Sequence, residues 1–108
     1  MQKSIVLLFA GTIALAGSSL YAQKGDAAKG KGVFDDNCSV CHNSDSTDAK
    51  VGPGLKGLFK MDKMTTGKAP TEANVAAQVA EGGNGMPAYK DILSDADRAN
   101  VVAYLKTL

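Results

Sequence analysis

The 108-residue sequence has no tryptophan, a single histidine and two cysteines, and aromatic residues make up 6% of it. Beyond the first two dozen residues the large aromatic side chains are Phe34, Phe59, Tyr89 and Tyr104. A small domain with so few large apolar groups usually needs a covalent staple or a cofactor to complete its core. A structural zinc site needs about four protein ligands. The chain offers Cys38, Cys41 and His42. No general base, nucleophile or second metal cluster stands out, so no catalytic machinery is expected. There is no excess of positive charge either. Without Lys3, eleven Lys plus Arg face eleven Asp plus Glu. This balance argues against nucleic-acid binding, which needs a basic surface. The alternation of a strand and an internal repeat are both absent, leaving helices and loops.

The length suits one domain. The start differs from the rest: Lys3, then the apolar run from Ile5 to Ala16, then Gly17-Ser18-Ser19-Leu20-Tyr21-Ala22. A charged start, an apolar middle and a small-residue end are the pattern of a secretory signal peptide. Cleavage is expected after Ala22, leaving residues 23–108 as one domain. Ile5 to Leu20 spans 16 residues diluted by Gly and Ser. A spanning helix wants about 20 apolar residues, so no membrane span is expected in the mature chain, and its expected location is the periplasm.

Asp26 is placed to cap a first helix that runs to about Val40, with Gly30, Val33, Phe34 and Cys38 near one face. Gly30 and Gly32 weaken such a helix by roughly 1 kcal/mol each relative to Ala, which suggests close approach of another helix. Residues 43–58 lack periodicity and read as an ordered loop that ends in a short helical turn near Leu55 to Phe59. Residues 60–70 read as a polar surface loop. Thr71 caps a short helix that stops at Gly82-Gly83. Ser94, with Asp97 three residues on, starts a last helix. Its Val101, Tyr104, Leu105 and Leu108 follow i, i+3, i+4, i+7 spacing.

The cysteines stand as Cys38-Ser39-Val40-Cys41-His42. A Cys-x-x-Cys-His run reads as a c-type haem attachment site. Two thiols three residues apart on a helical turn reach the two vinyl groups of one porphyrin. The next residue then presents an imidazole to the iron. A Cys38–Cys41 disulfide would close a very short loop and leave His42 without a role. A thioredoxin-like dithiol belongs beside a βαβ pattern that this chain lacks. For a second axial ligand, Met86 sits between Gly85 and Pro87 in a loop, and its thioether suits haem iron. Met86 as a core filler remains open, and Met61 and Met64, in a lysine-rich segment that reads as a mobile loop, are rival sulfurs.

Together these residues resemble the small class I cytochromes c, the soluble single-haem carriers, over nearly all of residues 25–108. The resemblance is carried by Gly30-Lys31-Gly32-Val33-Phe34, Cys38 to His42, Val51-Gly52-Pro53-Gly54-Leu55 with Gly57-Leu58-Phe59, Gly85-Met86-Pro87-Ala88-Tyr89, and Arg98 to Leu105. It implies an all-α, cytochrome c-like fold of three to four helices with long loops around one haem c attached through Cys38 and Cys41. It implies that Gly30 and Phe34 meet Val101 and Tyr104 where the first and last helices cross. It also implies that the Pro53 carbonyl accepts a hydrogen bond from His42 and that Met86 is the second axial ligand. The family pattern has a tryptophan that bonds a haem propionate, and this chain does not.

With His42 and Met86 both bound, the iron has no open position, so the expected role is one-electron transfer between redox partners, as in a respiratory chain, by a monomer that is not an enzyme. An open sixth position would instead make a haem-binding or peroxidase-like protein. Residues 50–68 hold Lys50, Lys56, Lys60, Lys63 and Lys68 against Asp62, whereas residues 35–48 hold four aspartates and no basic side chain except His42. This asymmetry suggests docking to an acidic partner beside an exposed haem edge.

Overall fold

The computed structural model describes residues 24–108; the expected leader, 1–22, lies outside them. Three α-helices and one 3₁₀ turn form the framework: α1, Ala27–Asn37; the turn, Leu58–Lys60; α2, Glu72–Glu81; and α3, Asp95–Leu105. There is no strand among the described residues, only an isolated bridge between Gly83 and Met86. The expected all-α architecture is the one observed.

Each helix begins where a side chain can accept from its free N–H groups. Asp26 accepts from Ala28 and Lys29, Thr71 from Asn74, and Ser94 from Asp97. The C-terminal ends are less regular. α1 stops at Asn37, short of the expected Val40, and the chain passes into a turn in which the Cys41 and His42 amides both donate to the Cys38 carbonyl. The helical turn expected at Leu55 to Phe59 begins later, at Leu58, after Gly57 takes a φ of 69°. α2 ends at Gly82, and Gly82, Gly83, Asn84 and Gly85 all take positive φ. That run explains why helical structure stops before Met86.

The core consists of Phe34, Leu58, Val75, Val79, Val101, Val102 and Leu105. α1 crosses α3 at its centre. A Cβ on Gly30 would lie 1.9 Å from the Asn100 carbonyl oxygen and 2.9 Å from Tyr104 Cβ. One turn further along, the Phe34 and Tyr104 rings pack with centroids 5.4 Å apart and planes tilted by 54°, within the separation at which aromatic pairs attract. The crossing expected from the resemblance is therefore present. Gly32 differs from Gly30: nothing lies within 4 Å of where its Cβ would be. Only one of the two glycines serves the close approach, because Gly32 points to the opposite, exposed side of α1. α2 packs on α3, and Lys106 Nζ reaches Glu72 Oε2 at 2.7 Å across that junction.

Candidate haem site

The turn after α1 presents Cys38, Cys41 and His42, and a cavity of about 240 Å³ opens beside it. Cys41, His42, Pro53 and Met86 all line this cavity, with Leu55, Leu58, Val75, Val79 and Leu105 supplying apolar wall. Cys38 is not part of the lining; it packs against the hydrophobic core from the end of α1. No disulfide joins Cys38 to Cys41. Before attachment, burial and then the neighbouring Cys41 push the Cys38 thiol up to about 11, so it is protonated near pH 7.

The imidazole is held in one orientation. His42 Nδ1 lies 2.7 Å from the Pro53 carbonyl oxygen. A carbonyl can only accept, so in the neutral ring Nδ1 carries the proton and the Nε2 lone pair is free. Such a bond also makes the free nitrogen a stronger ligand. Gly52 brings Pro53 into place. Its N–H donates to the Cys41 carbonyl at 2.8 Å. A Cβ on Gly52 would lie 2.5 Å from His42 Cε1, so only a residue without one lets the backbone lie against the ring. The polar loop 43–50 then folds over this corner. Leu55 N–H donates to the Asn43 carbonyl at 2.8 Å, Asn43 Nδ2 donates to the Asp48 carbonyl at 2.9 Å, and Lys50 Nζ donates to the Ser39 carbonyl at 3.0 Å.

Met86 is partly buried against the core. The Gly83 and Met86 backbones exchange hydrogen bonds of 2.9 and 3.0 Å, which closes the turn that carries the thioether. Gln78 Nε2 donates to Met86 Sδ at 3.6 Å. The rival sulfurs are placed differently from the expected mobile loop. Met64 packs against the core, and Met61 and Met64 both line the same cavity as Met86. Hydrogen bonds within the loop hold them there: Met61 N–H donates to Leu58, and Met64 N–H to Lys68.

Three residues of the surroundings have contacts that the sequence does not announce. Gln78 carried a usable signal: it lies at i+3 from Val75 and beside Val79 on the buried face of α2. Tyr89 and Arg98 belong to the motifs that carry the resemblance, but their bonding roles leave no sequence signal, because their partners are backbone carbonyls. Tyr89 donates its hydroxyl to Asn37 at 3.0 Å, and Arg98 Nη1 donates to Lys90 at 2.7 Å and to Leu93 at 2.8 Å.

Two thiols at the right spacing, an imidazole with one nitrogen tied and one free, and an apolar cavity that also receives a thioether together suit a covalently attached haem. The fold and site thus define a haem-attachment domain of the single-haem, all-helical kind. The chain belongs to the cytochrome c family: the family model "Cytochrome c" matches residues 27–108, and the domain is a class I c-type cytochrome carrying one haem c on Cys38 and Cys41. It is 35% identical over 99 residues to cytochrome c6 of Synechocystis sp., covering 92% of this chain and 78% of that one. It is 40% identical over 80 residues to cytochrome c6 of Leptolyngbya boryana, covering 74% of this chain and 89% of that one. The solved structure of cytochrome c6 from the diatom Phaeodactylum tricornutum superposes with a TM-score of 0.63 at 34% identity, covering 77% of this chain and 93% of that chain.

Proposed function

We propose that this cytochrome carries single electrons between redox partners, with its iron held by His42 Nε2 and Met86 Sδ. The observation that carries this reading is that the free nitrogen of a Pro53-oriented imidazole and the Met86 thioether belong to residues lining one cavity. Haem iron supplies a one-electron couple, and thioether ligation raises its potential relative to two nitrogen ligands. The chain's own residues do the rest. Pro53 fixes the imidazole, Gln78 donates to the sulfur, and the apolar wall excludes water. A site full on both axial sides accepts and releases an electron with little rearrangement and binds no substrate at the metal.

Export by cleavage after Ala22 to the periplasm is part of the same reading, because Cys-x-x-Cys-His attachment outside the cytoplasm fits the charged, apolar and small-residue order of residues 1–22. No helix among the described residues is long and apolar enough to cross a membrane. The partner surface lies at the attachment corner. Val40 and Val51 are 76% and 81% exposed, and the Gly52–Cys41 backbone bond brings their segments side by side. Lys50 is anchored at Ser39 in the same corner, and Lys56, Lys60, Lys63 and Lys68 are exposed. An apolar contact flanked by lysines suits a partner with an acidic docking surface, approached by a monomeric carrier.

Carbon monoxide binding by the reduced protein tests the reading. The expected result is no binding near neutral pH until Met86 is replaced by Ala. Ready binding by the unmodified protein refutes a filled sixth position and favours a haem-binding or peroxidase-like role.

A further inference from the structure

Tyr89 lies three residues beyond Met86 and is outside the ligand set. Its N–H donates to the Val79 carbonyl at 3.1 Å, and the next amide, Lys90, donates to Ala80 at 3.1 Å. Both acceptors belong to the last turn of α2, whose carbonyls have no partner within the helix. The Tyr89 hydroxyl donates to the Asn37 carbonyl at 3.0 Å in a partly buried bond. Asn37 is the last residue of α1 and is followed directly by Cys38. One side chain thus joins the segment carrying the thioether to the helix end carrying the thiols.

The turn itself makes this tie consequential. Between Gly83 and Ala88 the backbone bonds are the Gly83–Met86 pair, which closes the turn on itself. Gly82, Gly83 and Gly85, all at positive φ, add no side chain that would tie this turn to the helices. Beyond Tyr89 the chain is held to α3 in any case, since Arg98 grips the Lys90 and Leu93 carbonyls. The Tyr89 hydroxyl is the bond that fixes the turn's downstream end against α1.

We propose that Tyr89 is a positioning residue for the sixth ligand: through its bond to Asn37 it sets how readily the Met86 sulfur leaves the iron. This rests on the reading of His42 and Met86 as the axial pair. Opening of the Met86 turn is a local event, separable from global unfolding. Losing the hydroxyl removes a bond from the closed form of the turn and leaves the ring's packing in place.

The test uses imidazole as the probe, binding to the oxidised holoprotein in four forms: unmodified, Tyr89→Phe, Met86→Ala and the double variant. Urea unfolding is read alongside. Imidazole must displace the sulfur in the first two forms and has nothing to displace in the last two. Tyr89→Phe is expected to bind imidazole about five- to tenfold more tightly than the unmodified protein, the factor one net hydrogen bond supplies. In the Met86→Ala background the same change is expected to have no effect, so the two substitutions are non-additive. A lowered urea midpoint with imidazole affinity unchanged overturns the proposal, since the hydroxyl would then serve the fold as a whole. An equal gain in both backgrounds overturns it as well. If the unmodified protein binds imidazole as tightly as Met86→Ala, the axial reading fails, and this inference fails with it.

Discussion

Replacing Gly30 and Gly32 by Ala, one at a time, makes the same chemical change two residues apart on one helix and should give opposite results. Ala is favoured over Gly in a helix interior by roughly 1 kcal/mol. At Gly32 nothing stands within 4 Å of the new methyl, so Gly32→Ala should realise that gain, a stabilisation of about 0.5–1 kcal/mol. At Gly30 the methyl would sit 1.9 Å from the Asn100 carbonyl oxygen, where ordinary contact begins at 3.4 Å. The obstacle is backbone, so a rotamer change cannot relieve it. α1 and α3 must part, which loosens the Phe34–Tyr104 ring pair and strains the 2.8 Å bond from the Asp26 N–H to Asn100 Oδ1. Overpacking of this kind costs about 1–3 kcal/mol and more where backbones collide, so the net loss should be about 2 kcal/mol. Urea unfolding of the holoprotein reads the difference as midpoint shifts of opposite sign at constant slope. For a domain this small each kcal/mol moves the melting temperature by roughly 4–8 °C. Two stabilisations, or two losses of equal size, would refute the close-packed crossing.

Three further outcomes follow from the site. In Gly52→Ala the methyl would lie 2.5 Å from His42 Cε1, so the ring must turn or the Pro53 bond must lengthen; the oxidised protein should show altered low-spin electron paramagnetic resonance and a stability loss of about 1–3 kcal/mol. An unchanged signal would mean the ring is held by something other than this corner. Electron transfer to an acidic partner protein should slow as salt rises, and Lys50→Gln should lessen that slope; a salt-independent rate would remove the lysines from docking. Oxidised Tyr89→Phe should take up imidazole more readily than the unmodified protein, by the factor given above.

Much of this structure was legible in the sequence because it follows from local rules. Asp26, Thr71 and Ser94 sit where helix starts demand an acceptor, and all three cap. Cys38 to His42 names its cofactor by spacing alone. Other features depend on parts of the chain that meet only in space. Gly30 and Gly32 look alike in sequence; only the position of Asn100 separates them. α1 ends three residues before the sequence pattern suggests, because Cys38 to Cys41 keep helix-like bonds in a turn that is no longer regular helix. Met61 and Met64 read as mobile because their surroundings are lysine-rich, yet backbone bonds inside the loop bring both sulfurs to the cavity wall. Tyr89 and Arg98 act on backbone carbonyls, which leave no mark in a pattern of side chains.

The identity of the sixth ligand decides between a carrier and a haem protein with an open site, and three methionines line the cavity. The most direct measurement is the visible spectrum of the oxidised protein, read for the weak far-red band of a sulfur-to-iron bond, beside Met86→Ala and a Met61→Leu, Met64→Leu double variant. The account expects the band in the unmodified protein and in the double variant, and its loss in Met86→Ala. A band that survives in Met86→Ala, or that is missing from the unmodified protein, would contradict it.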